Sequence, residues 1–247
     1  MNAGPFAIIG NPVQNSLSPA LFRAAYPHAP ERTYGRLEAP AAETAWELVQ
    51  SMGLQGGNVT MPFKAAFARF AAIKDEAVTA IGATNLILNR GKGWEAYNTD
   101  HCGVVESFRE AGAGLKDEPV LVIGTGGAGK AAAWGLEKAG ATVFMANRTY
   151  GGSIAPLTEV PSLLKKCALV VNTIPWEKEK SIGLGFRQYH LVLDASYTNA
   201  PLKETAEESG MKYLGGAFWL YHQAVRGFEI LTGESPRLKA MRALLNL

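Results

Sequence analysis

Cysteine is nearly absent. The chain has 247 residues and two thiols, Cys102 and Cys167. Set far apart in sequence, they form neither a disulfide framework nor a metal cluster, and they suit a reducing compartment. An excess of one charge is also missing. Lys and Arg number 24 against 22 Asp and Glu, a formal net charge of +2, so the basic footprint of a nucleic-acid binder is not there. No stretch approaches the roughly 18 apolar residues of a membrane span. The opening MNAGPFAIIGNP has no basic segment leading into an apolar run, so no secretory leader is expected. The four histidines, His28, His101, His190 and His222, lack metal-ligand spacing. The expectation from these absences is a cytoplasmic protein without nucleic acid, membrane or metal.

What is present is ordinary for a globular chain: 47% apolar and 19% charged residues. The length allows one large domain or two modest ones, each with its own core. The excess is in glycine, 27 residues against an average use of ~7%, and several lie together.

Apolar runs alternate with helical patterns, which predicts an α/β protein. Phe6–Gly10, Arg32–Ala39 and the GGNVTM segment read as strands. Ser18 reads as the N-cap of a helix with Pro19 at its first position. AAETAWELVQSM reads as a helix stopped near Gly53, and another starts at Pro62. NLILNRGKGWEAYNTD reads as two strands around a turn at Gly91–Gly93. A second alternation starts near Pro119. PVLVIG, TVFMANR, ALVVNTIP, HLVLDAS and KYLGG are short runs rich in Val, Leu and Ile, as expected of a parallel sheet covered on both faces. Between Thr149 and Cys167 the glycines and prolines leave no pattern for a full crossover helix. The last two helical segments, Ala217–Gly233 and the one opened by Pro236, have no strand after them and are assigned back to the first unit.

Gly124, Gly126 and Gly129 form G-x-G-x-x-G between a strand and a helix. The first glycine permits the turn. The second lets backbone N–H groups approach a pyrophosphate, and the helix N-terminus favours the anion. GTGGAGK also fits the start of a nucleotide hydrolase loop, with HLVLD as its acidic strand end. That loop needs Ser or Thr next, to hold Mg²⁺, and the chain has Ala131. The following strand ends in Asn147-Arg148-Thr149 instead of the acidic residue that holds an NAD ribose. A guanidinium and a hydroxyl suit a 2′-phosphate, which favours NADP.

The first half carries polar residues at element ends: Ser16 and Ser18, Asn58 and Thr60, Lys64, Asn85, Thr99 and Asp100. Several have ordinary readings as caps or turn anchors. Lys64 is placed about three residues into a helix, where the positive end of the macrodipole disfavours a cation; that suits it to exchanging a proton. Asp100 is the carboxylate assigned to hold it.

NSLSP, NVTMPFK, GATN, YNTD, GTGGAGKA, ANRT, VVNTIP and the HQ of WLYHQAVRGFEILTG occur here in the order found in shikimate dehydrogenases, which the chain resembles over essentially its whole length. The resemblance implies an α/β fold of two domains: a discontinuous substrate-binding domain, 1–101 plus 218–247, and a Rossmann-type NADP-binding domain with a parallel sheet, 102–217. It implies reduction of 3-dehydroshikimate to shikimate with NADPH, a step towards chorismate and the aromatic amino acids, by a monomer or homodimer. Lys64 and Asp100 would be the catalytic pair. Ser16 and Ser18 would hold the substrate carboxylate. Asn58, Thr60, Asn85, Asp100, Tyr197 and Gln223 would hold its other oxygens. Gly124, Gly126, Gly127, Ala128, Gly129, Asn147, Arg148, Thr149, Thr173, Gly216 and Trp219 would contact the cofactor. The chain departs from the family pattern at Leu86, often Thr; at Trp219, commonly Met; at Gly152, usually basic; and in a shortened Tyr197 loop. The alternatives are a quinate-preferring relative with relaxed cofactor use, the nucleotide hydrolase, and a non-catalytic NADP sensor.

Overall fold

The structure, a computed structural model, describes residues 5–29, 33–175, 184–196 and 201–247. It forms two compact units, Met1–Thr99 with Gln223–Leu247, and Asp100–His222.

The first unit runs β1 (Phe6–Gly10), α1 (Ser18–Ala25), β2 (Tyr34–Glu38), α2 (Ala42–Ser51), β3 (Gly56–Val59), α3 (Lys64–Phe70), β4 (Ile73–Lys74), α4 (Glu76–Ile81), β5 (Leu86–Asn89) and β6 (Trp94–Tyr97). Its six strands lie in the order β2-β1-β3-β5-β6-β4. The apolar FAIIG run of β1 is buried throughout, between parallel neighbours β2 and β3. Ile8 thus faces Arg36 on one side and Asn58 on the other in the register. β5 and β6 form an antiparallel hairpin whose turn uses Gly91 and Gly93, at φ 83° and 114°. Ala7, Ile9, Leu37, Val59, Phe67 and Ile87 pack into one core.

The structure corrects two local expectations here. The N-cap of α1 is Leu17, in helical geometry and without a side-chain bond, and Ser18 is already the first helical residue. The cap is displaced because Ser16 Oγ accepts the Ser18 amide at 3.3 Å from two residues upstream. α3 starts at Lys64 itself, because Met61–Phe63 form a turn in which the Phe63 amide donates to Thr60 O at 3.0 Å. α4 and its caps are additions. Asp75 accepts the Val78 amide at 2.6 Å, and Gly82 closes the helix at φ 73°.

The second unit contains α5 (Asp100–Glu110), β7 (Pro119–Ile123), α6 (Gly127–Lys138), β8 (Thr142–Asn147), β9 (Ile154–Pro156), α7 (Val160–Leu163), β10 (Leu169–Asn172), β11 (Leu191–Asp194), α8 (Pro201–Ser209) and β12 (Lys212–Leu214). All six strands are parallel, in the order β12-β11-β10-β7-β8-β9. The order reverses between β7 and β10, and open α/β sheets bind ligands beyond the carboxyl ends of strands at such a point. β8 passes to β9 through residues 148–153 without a helix, and a 3₁₀ turn with the single turn of α7 follows. This is the trimmed crossover that the Thr149–Cys167 pattern predicts. The chain ends with α9 (Gly216–Thr232) and α10 (Leu238–Leu245). In the first unit, α10 packs on α1, where the Arg237 amide donates to Ala25 O at 3.0 Å.

Candidate active site

In the first unit, a chain of buried amide groups links segments distant in sequence. Tyr34 donates its hydroxyl proton to Asn58 Oδ1 at 2.7 Å. Asn58 Nδ2 donates to Asn85 O at 3.2 Å. Asn85 Nδ2 donates to Gln223 Oε1 at 2.8 Å and to Thr99 Oγ1 at 3.0 Å, while its Oδ1 accepts the Thr99 amide at 2.7 Å. Thr99 Oγ1 in turn donates to Gln223 O at 3.0 Å. Asn58, Asn85 and Thr99 are all buried. A satisfied polar network of this kind fixes its members in one orientation. Asn58, Asn85 and Gln223 therefore belong to one constellation.

Ser16 and Ser18 bring their hydroxyl oxygens to 3.3 Å from each other at the start of α1. Helix-end N–H groups beside paired hydroxyls suit an anion such as a carboxylate. Thr60 follows β3, and its amide is tied to Ile9 O at 2.8 Å. Lys64 is half-buried, and its carbonyl accepts the Thr84 amide at 3.0 Å. The start of α3 is thereby pinned to the GATN turn that carries Asn85. Asp100 opens α5 in the second unit, next in the chain after Thr99, and is buried. Tyr197 lies outside the described residues.

No motif in the sequence singles out Tyr34. Burial raises its phenol pKa, with bonds to Asn58 and Ser18 acting the other way. Its ring packs 4.8 Å from that of Phe22. The available signal was a tyrosine at the start of a strand, which can equally be an ordinary half-buried strand residue.

In the second unit, the glycine turn has the geometry its motif predicts. Gly124 has φ 105°, and a Cβ there would lie 2.2 Å from Thr173 Oγ1. Thr173 is itself held by donating to Ile123 O at 2.8 Å. A Cβ on Gly129 would lie 2.0 Å from Gly124 O, so helix and strand meet at glycine contact. Gly126 is the N-cap of α6, and a Cβ there would meet nothing within 4 Å. Gly127 and Ala128 open the helix, with their backbone in the orphan N–H region. The turn fits a pyrophosphate. Asn147 Nδ2 donates to Thr149 O at 3.0 Å, and Arg148 and Thr149 are exposed beside it. The Gly216 amide donates to Ser196 O at 3.1 Å. Trp219 is buried in this unit's core, and a Cβ on Gly103 would meet its ring at 2.4 Å. Leu86, in the first unit, is likewise core.

The acidic strand end invoked for a nucleotide hydrolase is Asp194. Its Oδ1 accepts from Asn172 Nδ2 at 3.0 Å and the Ser196 amide at 3.1 Å, and its Oδ2 accepts from Tyr213 at 3.1 Å. Both oxygens are thus used within the protein. Burial raises the Asp194 pKa against the pull of these donors. His190 is a satisfied core residue, with Nδ1 2.8 Å from the Arg187 amide and Nε2 2.9 Å from Leu164 O. Among the described residues no group of His, Cys, Asp and Glu could hold a metal ion, and no helix is long and apolar enough to cross a membrane.

A curated NADP(+) shikimate dehydrogenase of Halobacterium salinarum is 34% identical, over 97% of this chain and 97% of its own length. The chain belongs to the shikimate dehydrogenase family. The family described as the shikimate dehydrogenase substrate binding domain matches residues 8–87, inside the first unit. The solved shikimate dehydrogenase of Aquifex aeolicus superposes with a TM-score of 0.86, at 27% identity and 96% coverage of both chains. That of Thermus thermophilus, solved with NADP(H) and shikimate, gives 0.81 at 28% identity and 98% coverage of both. The members' shared architecture accounts for the α/β fold with its parallel second sheet.

Proposed function

We propose that this chain catalyses the reversible, NADP-dependent reduction of 3-dehydroshikimate to shikimate, a step in chorismate and aromatic amino acid synthesis, with Lys64 and Asp100 as the acid–base pair. The observation that carries the reading is the Asn58–Asn85–Gln223 network beside the paired serine hydroxyls, in a chain of this family. Ser16 and Ser18 take the substrate carboxylate. Asn58, Thr60, Asn85, Tyr197 and Gln223 orient the ring oxygens. Gly124 to Gly129 cradle the pyrophosphate of NADP, Arg148 and Thr149 take its 2′-phosphate, and Asn147, Thr173, Gly216 and Trp219 complete that side. NADPH, when bound, supplies the hydride. Lys64 gives a proton to the carbonyl oxygen as it becomes an alcohol and takes it back in the reverse direction, and Asp100 holds the ammonium and keeps it directed.

Lys64→Ala should lower kcat by roughly 10²–10⁴-fold, the usual contribution of a positioned acid–base group, with a far smaller effect on shikimate binding. A near-normal kcat would remove Lys64 from the mechanism. One observation favours a second reading with looser cofactor choice: the position after Gly151 is glycine, at φ 60°, and offers no second cation beside Arg148. Comparing kcat/KM for shikimate with NADP against quinate with NAD separates the two.

A further inference from the structure

Ser16 stands in a segment without regular structure, residues 11–17 between β1 and α1. Such a segment does not fix two hydroxyls by itself, and the structure shows what holds it. Arg36 on β2 donates from Nε to Val13 O at 3.2 Å and from a terminal nitrogen to Ser16 O at 2.9 Å. Two residues further along the same strand face, Glu38 accepts the Val13 amide at 2.9 Å and Gln14 Nε2 at 2.8 Å. Asn11 Nδ2 donates to Ala39 O at 3.1 Å. The segment is therefore strapped to β2 by side chains, while β2 is itself paired to β1.

We propose that Arg36 is a positioning residue, whose guanidinium fork fixes the Ser16 and Ser18 hydroxyls for an anionic substrate by holding the Val13 and Ser16 carbonyls. Two features of the geometry support it. The planar fork meets two carbonyls of one turn with donors at a fixed spacing, which a freely rotating ammonium does not impose. The Val13 carbonyl also accepts the Ser16 amide at 3.1 Å, so the fork grips the turn that places Ser16. The role toward substrate rests on the shikimate reading above. The holding of the turn does not.

The test uses Arg36→Met and Arg36→Lys in the full chain, with two readouts. Amide hydrogen exchange needs no substrate. Both variants should speed exchange across residues 13–18 while the remaining sheet amides keep their protection; unchanged exchange in both overturns the proposal. In steady-state assays, Arg36→Met should raise KM for shikimate about tenfold, the scale of a lost charge-assisted bond. It should leave kcat within about twofold and KM for NADP unchanged. Arg36→Lys, which keeps the charge and loses the fork, should recover less than half of that effect. With the uncharged methyl ester of shikimate, the penalty should largely disappear. Full recovery by lysine, or an equal penalty on the ester, would reduce Arg36 to a charge or a scaffold residue and overturn the assignment. If the wild type turns over no shikimate, the functional reading fails, and the exchange data still judge the strap.

Discussion

Gly126 and Gly129 belong to one motif but face different surroundings, so the same substitution should have different consequences. At Gly126 the backbone sits at φ −68° and ψ −176°, which any residue adopts, and a Cβ meets no protein atom within 4 Å. Gly126→Ala should therefore change stability by less than about 1 kcal/mol, the difference between glycine and alanine at an N-cap. In a chain of this size that limits the shift in Tm to at most about 2–4 °C. If the turn cradles the pyrophosphate as proposed, the methyl group crowds it, and KM for NADP should rise by about tenfold or more, equivalent to about 1.4 kcal/mol. At Gly129 a Cβ would lie 2.0 Å from the Gly124 carbonyl oxygen and 2.7 Å from its carbon. That is backbone, which cannot rotate aside. Overpacking of this kind costs about 1–3 kcal/mol or more, against a gain of about 1 kcal/mol in helix propensity. Gly129→Ala should lower Tm and weaken NADP binding together. The assays are thermal unfolding and NADP titration followed by cofactor fluorescence. If Gly126→Ala binds NADP like the wild type, the turn does not cradle a phosphate, and the cofactor assignment falls with it.

Two more perturbations probe the second unit. Arg148→Ala should raise KM for NADP by about tenfold, the lower end for a charge-assisted bond because the side chain is exposed, and leave that for NAD nearly unchanged; equal effects on both cofactors would refute the 2′-phosphate assignment. Burial lifts the Asp194 pKa above its ordinary 3.8, so the folded chain holds this proton more tightly than the unfolded one. Its stabilising contribution is complete below about pH 4 and is lost as pH rises through the raised folded value. In paired urea titrations, the wild type should lose stability relative to Asp194→Asn as pH rises from 4, and a change of the opposite sign would defeat the linkage argument.

The elements most legible in the sequence were those with one physical cause. FAIIG and PVLVIG are apolar because both faces of a central strand are covered. The hairpin was legible because Gly91 and Gly93 supply the positive φ its turn needs. The glycine turn before α6 was legible for the same reason. Ser18 misleads because a serine ahead of Pro19 fits two patterns, and the choice is made by the bond its amide donates to Ser16 Oγ. α4 was missed although Asp75 and Gly82 are good caps, since a six-residue helix leaves little periodicity between them. Tyr34, Arg36 and Glu38 were missed because strand neighbours reveal themselves through register, and the alternation of β2 says which face a side chain takes without saying what lies opposite.

Asn85 uses both ends of its amide, and one of its partners, Gln223, comes from the last stretch of the chain. During synthesis on the ribosome, Asn58 and Asn85 emerge early and must wait for the whole intervening unit before Gln223 can close the network. A nascent chain cut anywhere in that interval carries most of the matched segment, residues 8–87, yet lacks the Gln223 partner of Asn85. The network closes only when the last helix but one has emerged.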